Sequence, residues 1–188
     1  MNIVVLGFNS KVFVRPDTTW ERDNEDFYVP EFIDALSWAP VLFARISKPG
    51  RSILPRFAPR YYDSVGYGAL LYPEDLIDGS TEGFASACCL DHTSFLGFPT
   101  FHPSSLKDEK SVFDVQKDGS PLFRYDSGSC EMIENAIGAV SRYCYLRIGD
   151  IIAIEIAPRK MLARRENGAF HITGTFHDET VLDFETIF

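Results

Sequence analysis

The sequence has few histidines and cysteines, and neither residue forms a metal-binding pattern. Its four histidines all lie at or beyond His92. Its cysteines are Cys88, Cys89, Cys130 and Cys144, with no Cys-x-x-Cys pair among them. Because adjacent cysteines rarely bond to each other and no zinc-type spacing is present, we expect four reduced, mostly buried thiols and no zinc site.

Long apolar runs and an excess of positive charge are also missing. No apolar stretch approaches membrane-spanning length, and the first strand-like residues lack the basic region of a signal peptide. The chain has 27 acidic and 18 basic residues, a net charge of -9, which repels phosphate backbones and anionic lipid. The basic clusters along the sequence, Arg164-Arg165 and Arg56/Arg60, are short. We therefore predict a cytoplasmic protein that binds neither nucleic acid nor membrane, unless the fold segregates its charge.

Apolar and aromatic residues are abundant. Of the 188 residues 45% are hydrophobic, including 16 Phe and 8 Tyr, and 11 Pro and 13 Gly are spread along the chain. This composition predicts a packed globule of many short elements. With no repeat or linker visible, residues 1–188 are expected to form a single domain.

Alternating and β-branched patterns predict a chain made mostly of strands. A charged stretch at residues 21–26 is expected to be a solvated turn, and Gly66 and Gly68 indicate a bulge or a close backbone approach within a strand. The predicted strands cover residues 3–6, 11–15, 41–46, 65–72, 84–90, 151–156, 169–173 and 180–186.

One hairpin and one long helix complete the prediction. The hairpin spans residues 112–125 and turns at Asp118-Gly119, a pair that readily takes positive φ. The helix runs from about Cys130 to Tyr143, with its apolar residues at helical spacing and either Ser127 or Ser129 as its cap. The fold class is α+β and mainly β.

Three ordered blocks resemble the fumarylacetoacetate hydrolase family. The most specific is the Arg-Phe-Ala-x-Arg-Tyr-Tyr-Asp segment that ends at Asp63. The other two are similar to the family's Phe-x-Lys-Pro and Leu-x-x-Gly-Asp-Ile-Ile segments. The resemblance implies the mixed β-sandwich or roll of that family's C-terminal domain. The blocks are residues 12–17, 55–63 and 141–152.

The resemblance also implies a metal centre. Family members bind Mg²⁺, Mn²⁺ or Ca²⁺ through three or four carboxylates, and they cleave or rearrange β-diketo acids or act on oxaloacetate-like substrates. A hard divalent ion prefers anionic oxygen ligands and stabilises enolate charge. The family's ligands are a Glu-x-Glu and a later Asp. A Lys, a Thr-Gly-Thr-Pro loop and an N-terminal His assist.

Carried over by spacing from the three blocks, those positions hold other residues here. The Glu-x-Glu falls on Ala39-Pro40-Val41, the third ligand on Leu70, and the lysine near Glu82. The loop falls on residues 154–157, beginning with Ile154 and Glu155. The histidine segment is shortened to residues 7–10. The resemblance thus implies a degenerate pocket without a metal or another cofactor.

Other constellations leave alternatives open. Glu155 lies in an apolar strand, so it either faces solvent, which alternation favours, or is buried and paired with His171 or His177. Asp91-His92 is expected to be a surface loop pair. Cys88-Cys89 is better explained by core packing than by reactivity.

We therefore expect a pseudoenzyme with a structural or regulatory role, a homodimer or the partner of an active paralogue. The alternatives are a divergent hydrolase, isomerase or decarboxylase acting on a small keto acid, and a small-molecule sensor. In those cases Arg15 or Arg45 would contact a small acid.

Overall fold

The computed structural model describes residues 1–108 and 111–188. Within these ranges the chain forms thirteen strands and two α-helices. The helices are α1 (Thr81–Ala87) and α2 (Cys130–Val140). The strands are β1 (Asn2–Leu6), β2 (Val12–Pro16), β3 (Trp20–Glu21), β4 (Phe27–Tyr28), β5 (Ala35–Ile46), β6 (Tyr62–Pro73), β7 (Ser94–Phe95), β8 (Phe113–Lys117), β9 (Ser120–Tyr125), β10 (Ile151–Glu155), β11 (Lys160–Arg164), β12 (Phe170–Phe176) and β13 (Glu179–Ile187).

The strands form two mixed sheets. The larger has eight strands in the order β2-β1-β10-β5-β6-β7-β3, with β11 also paired to β5. The smaller has five, in the order β4-β13-β12-β8-β9. Most pairs are antiparallel, but β1 runs parallel to β10, so the two chain segments that hold them meet in the sheet although they are far apart in sequence. The predicted α+β, mainly β class is confirmed.

The main core lies where the two sheets and α2 meet. It combines Leu42 and Leu71 of the larger sheet with Ile172 and Phe184 of the smaller one. The apolar face of α2 is buried against it, as the helical spacing predicts. Burial of this many aliphatic and aromatic side chains is the chief source of stability in a domain of this size.

The opposite face of the larger sheet carries a second apolar cluster, here called the outer cluster. Because side chains alternate along a strand, the odd-numbered residues of β5 point to this cluster while the even-numbered ones point to the main core. Helix α1 covers it through Phe84 and Cys88, which are one helical turn apart. Its buried members are Ile3, Val5, Ala39, Val41, Phe43, Leu70, Tyr72, Cys88, Leu96, Ile151 and Ala153.

Pro40 stands in the middle of β5, where proline is normally avoided because it cannot donate a hydrogen bond to the sheet. Its position explains the exception. Strand β10 pairs with residues 41–45 of β5, and β11 pairs with residues 35–38. Pro40 lies at the change of neighbour, where its carbonyl still accepts a hydrogen bond from the Ile156 N–H at 3.0 Å.

Several local predictions are wrong. Residues 84–90 were expected to form a strand, but most of them belong to α1 and the turn after it, since the Ser80 side chain caps the Gly83 N–H and starts a helix. In the charged stretch of residues 21–26, residues 22–26 are mostly exposed outside the strands, as predicted, but Glu21 is buried in β3. Helix α2 ends at Val140 and not at Tyr143. The cysteines are not mostly buried: Cys88 is, Cys89 is exposed, and the other two are half-buried.

The predicted hairpin turn, the close approach at Gly68 and the helix cap are confirmed. Asp118 and Gly119 have φ values of 50° and 73° and close the β8–β9 hairpin. Gly68 allows the close backbone approach predicted for it, because a Cβ there would overlap the carbonyl oxygen of Phe95 in β7. Ser129, and not Ser127, caps α2 by accepting a hydrogen bond from the Met132 N–H.

Candidate active site

The three residues at the expected metal-ligand positions lie together. Ala39 and Leu70 are direct partners across β5 and β6. Val41, two residues along β5, is the partner of Glu155 across β5 and β10. All three side chains have 0% exposure. The site implied by the resemblance therefore corresponds to one place in the fold, on the outer face of the larger sheet.

Apolar side chains fill that place. The three residues are members of the outer cluster and pack with Phe43, Tyr72 and their neighbours. Alanine, valine and leucine offer no oxygen, nitrogen or sulfur donor to a divalent ion, so these residues do not fit Mg²⁺ or Mn²⁺. Among residues 1–108 and 111–188, no group of three or more His, Cys, Asp or Glu side chains could hold a metal ion elsewhere.

A polar pair borders the apolar positions. The Tyr72 hydroxyl donates a hydrogen bond to Glu155 Oε1 at 2.7 Å. Glu155 Oε2 accepts a second one from the Phe8 N–H at 2.9 Å. Burial raises the pKa of Tyr72 well above its usual value, with Arg15 acting against this and Glu155 adding to it. Both oxygens of Glu155 are thus engaged: Oε1 links β10 to β6, and Oε2 holds the segment after β1 to the sheet.

The environment of the Glu155 side chain matches neither of the two predicted alternatives. It is half-buried and bonded, so it does not simply face solvent. Its partners are a tyrosine and a backbone amide, not a histidine. The His171 ring nitrogen bonds Asp183 at 2.7 Å, and that of His177 bonds the Ser105 carbonyl at 2.9 Å.

Arg15 lies on the same face but is closed off from solvent. Its side chain has 0% exposure, and one η nitrogen donates to the Leu71 carbonyl at 2.9 Å and to Thr93 Oγ1 at 2.6 Å. Its guanidinium lies 4.9 Å from the centroid of the Tyr72 ring. The ε and second η nitrogens have no hydrogen-bond partner among the described residues. The predicted contact between Arg15 and a small acid would require this packing to open.

The remaining predicted positions are not brought to the site. Glu82 is exposed on α1. Ile154 points to the main core, on the other side of the sheet. Alternation places Arg45 on the same face as Val41 and Phe43, but Phe43 lies between it and the site, and Arg45 is exposed. Arg45 is therefore accessible to a small acid only outside the cluster.

An open cavity of about 550 Å³ adjoins the polar pair. Its walls include two aromatic rings in edge-to-face contact, Phe13 and Phe84, whose centroids are 5.1 Å apart. Lys11 and Arg159 supply positive charge, and Arg159 also forms an ion pair with Glu74 at 3.3 Å. The lining residues are Gly7, Phe8, Asn9, Lys11, Phe13, Phe84, Glu155, Pro158 and Arg159.

Sequence reasoning missed Tyr72, Lys11 and Arg159. Tyr72 carried a usable signal, since a tyrosine at the end of a buried strand normally finds a hydrogen-bond partner for its hydroxyl. Lys11 and Arg159 carried none, because only the pairing of β1 with β10 brings their segments together.

The other candidate groups lie elsewhere or are unreactive. His92 and Asp91 are both exposed, as expected, but the His92 ring nitrogen lies 3.0 Å from Glu21 and not against Asp91. Burial raises the pKa of the Cys88 thiol to about 11, with Arg15 acting against it. Little Cys88 thiolate exists at neutral pH, as core packing predicts for that residue, whereas Cys89 is exposed and lies outside the core.

Comparisons with known proteins identify the fold. No family model matches the sequence, and no curated protein is similar enough in sequence to count as a relative. In the described part of the chain, no helix is long and apolar enough to cross a membrane.

Solved structures match the fold over nearly the whole chain. A fumarylpyruvate hydrolase from Pseudomonas aeruginosa, in complex with Mn²⁺ and pyruvate, has a TM-score of 0.81 and 14% identity over 100% of this chain and 89% of its own. A fumarylacetoacetate hydrolase family protein from Yersinia pestis has a TM-score of 0.78 and 16% identity over 99% of this chain and 92% of its own. A 2-hydroxyhepta-2,4-diene-1,7-dioate isomerase from Mycobacterium marinum has a TM-score of 0.77 and 14% identity over 99% of this chain and 74% of its own.

These neighbours, a hydrolase, a family protein and an isomerase, share one architecture with this chain. The chain therefore has the fold of fumarylacetoacetate hydrolase family proteins.

Proposed function

We propose that this protein is a catalytically inactive, cytoplasmic relative of metal-dependent fumarylacetoacetate hydrolases, a single domain of residues 1–188 with a structural or regulatory role. One observation carries the proposal. The three expected ligand positions, Ala39, Val41 and Leu70, meet at one place in the fold and are packed there as fully buried apolar side chains. A carboxylate at any of them would lie in an apolar environment, which strongly disfavours its charged form.

Isothermal titration with Mg²⁺ and Mn²⁺ tests the proposal directly. We expect no binding heat up to millimolar metal, while the Mn²⁺-binding fumarylpyruvate hydrolase from Pseudomonas aeruginosa serves as the positive control. A panel of β-diketo acids and oxaloacetate should then show no metal-dependent turnover. Carboxylate-dependent Mn²⁺ binding at millimolar affinity or better would refute the inactive role.

The cavity favours a second candidate, a sensor of a small acid. Lys11 and Arg159 can bind a carboxylate, and Phe13 and Phe84 offer an apolar wall. Arg159 lies 5.3 Å from the centroid of the Tyr72 ring, so an acid bound there would contact the sheet. Metal-free turnover has weaker support, because no histidine lies against Glu155 among the described residues.

Thermal melting with a keto-acid panel separates the sensor from a purely structural protein. A bound acid should raise the melting temperature, and Arg159→Ala should abolish that rise. Lys160→Ala, an exposed neighbour outside the cavity, should leave the rise unchanged. If no acid shifts the melting temperature, the sensor role is excluded and the structural role stands.

The proposed structural or regulatory role also implies that this protein assembles with another chain. A homodimer or a complex with an active paralogue gives an inactive chain a function through contact. If the purified chain neither self-associates nor changes a paralogue's activity, the regulatory role is lost.

A further inference from the structure

One surface of the protein outside the candidate site is built from two chain segments whose charged side chains are all basic. It is formed by residues 47–61, after β5, and residues 141–149, after α2. These two segments hold six basic residues and no acidic one, and all six are exposed. We call this surface the basic face. Its cations are Lys48, Arg51, Arg56, Arg60, Arg142 and Arg147.

Backbone hydrogen bonds join the two segments into one surface. Gly50 and Leu146 exchange N–H and C=O groups at 3.0 and 2.8 Å. The Ser52 N–H donates to the Ser141 carbonyl at 2.8 Å, and the Ile53 N–H donates to the Ser141 hydroxyl at 2.9 Å. The basic face is therefore a fixed part of the fold and not a chance proximity of two loops.

None of its cations forms an ion pair with a carboxylate among the described residues. Elsewhere arginines do: Arg124 bonds Asp114 at 2.6 Å, Arg159 lies 3.3 Å from Glu74, and Arg165 lies 3.0 Å from Asp34. Removing the six cations leaves 12 basic against 27 acidic residues. The charge of the protein is thus segregated, with this face positive and the remainder strongly acidic.

Apolar side chains are interspersed with the cations. Five of the twelve large apolar side chains that are exposed in the described ranges lie on this face. Phe57 is flanked by the guanidiniums of Arg56 and Arg60, at 4.7 and 5.6 Å from its ring centroid. Arginine with exposed aromatic residues is the composition typical of protein interfaces. The five apolar residues are Leu54, Phe57, Tyr143, Tyr145 and Ile148.

We infer that the basic face is the docking surface for another protein that presents an acidic surface with apolar residues. Charge complementarity selects the acidic partner, since six cations without a carboxylate partner among the described residues would repel a cationic surface and would lose hydration without compensation against a neutral one. A second copy of this chain, docked through the same face about a two-fold axis, would place like charges against each other. A nucleic acid would extend onto the strongly acidic remainder, and it would leave the aliphatic Leu54 and Ile148 without a matching apolar contact.

The inference is independent of whether the candidate site is active, so its test uses a different readout. The probe is a fluorescein-labelled peptide of alternating glutamate and tryptophan, followed by fluorescence anisotropy on the full chain at low and high salt. We expect binding that weakens as salt rises. Arg51→Glu/Arg147→Glu should weaken it about tenfold or more. Arg124→Glu/Lys160→Glu, with the same charge change on other surfaces, should leave it within about twofold.

Four further measurements decide between this docking surface and its alternatives. Leu54→Ser/Ile148→Ser should also weaken binding, whereas polyglutamate without tryptophan should bind less tightly. Failure of the peptide to bind at low salt, or equal losses in the two charge-reversed variants, overturns the inference. Tighter binding of a single-stranded oligonucleotide would assign the face to nucleic acid. Loss of a dimer in Arg51→Glu/Arg147→Glu, measured by sedimentation, would assign it to self-association.

Discussion

Glu155 and Tyr72 connect the candidate site to the stability of the sheet. The carboxylate accepts hydrogen bonds from the Tyr72 hydroxyl and the Phe8 N–H. Glu155→Ala removes both acceptors and leaves a buried hydroxyl unsatisfied, so it should lower the free energy of unfolding by about 1–3 kcal/mol. Tyr72→Phe removes the hydroxyl together with its need for a partner, and should cost about 1 kcal/mol or less. Urea unfolding of both single variants and the double variant measures the coupling, and additive losses would show that the two side chains do not interact.

A single substitution at Val41 tests whether the expected metal site is apolar. Its side chain is fully buried, so Val41→Glu places a carboxylate among aliphatic groups and should lower the free energy of unfolding by more than about 4 kcal/mol. Because Ala39 and Leu70 add no oxygen ligand, Mg²⁺ or Mn²⁺ should not restore the loss. Thermal melts with and without metal measure this. A metal-dependent rise in the melting temperature of the variant would mean that a cation site persists there.

At the scale of elements, the α2 cap is the local feature most open to a quantitative test. Ser129 accepts a hydrogen bond from the Met132 N–H at 3.3 Å. Ser129→Ala should lower the free energy of unfolding by about 1 kcal/mol, since one N–H of the first turn loses its partner. Within residues 1–108 and 111–188, the Ser127 side chain bonds only the exposed Asp126 carboxylate, so Ser127→Ala is the matched control and should change stability by less than about 0.5 kcal/mol. Equal losses in urea unfolding would show that Ser129 is not the cap.

Elements with a strong local pattern were predictable, and elements defined by tertiary contact were not. The β8–β9 hairpin follows from Asp118-Gly119, and α2 follows from the spacing of Ile133, Ala136 and Val140. Helix α1 was mistaken for a strand because its small residues carry no periodic signal. It forms where Ser80 caps it and where Phe84 and Cys88 can cover the outer cluster.

At the scale of the whole molecule, part of the candidate site could likewise be predicted from the sequence, and the rest depends on tertiary contacts. The assignment of Ala39, Val41 and Leu70 to the ligand positions could be predicted from family spacing, whereas their meeting at one place is seen only in the strand pairing. The bonding of Glu155 to Tyr72 could not, since it depends on side-chain positions across three strands. The basic face was hidden for a similar reason: its two segments lie some ninety residues apart in sequence and meet only through the Gly50–Leu146 bridge.

Several buried acids make the whole molecule sensitive to alkaline pH. Burial raises the pKa of the Tyr62, Tyr67 and Tyr72 hydroxyls, and it raises that of the Cys88 thiol from 9.0 to about 11. An acid whose pKa is raised in the folded state favours folding fully below its unfolded pKa, and this contribution is lost as pH rises through the folded pKa. The unfolded chain ionises first, so stability should fall from about pH 9 upward.

Urea unfolding at intervals from pH 8 to 11 measures that fall. Each group contributes a slope of up to about 1.4 kcal/mol per pH unit between its unfolded and folded pKa. Cys88→Ala lowers stability at every pH by leaving a small cavity, but it should also make the decline between pH 9 and 11 shallower, because one ionising group is gone. Cys89→Ala, which removes the exposed neighbouring thiol, should keep the slope of the unaltered chain. A constant free energy of unfolding across this range would show that the folded protein lets these groups ionise freely.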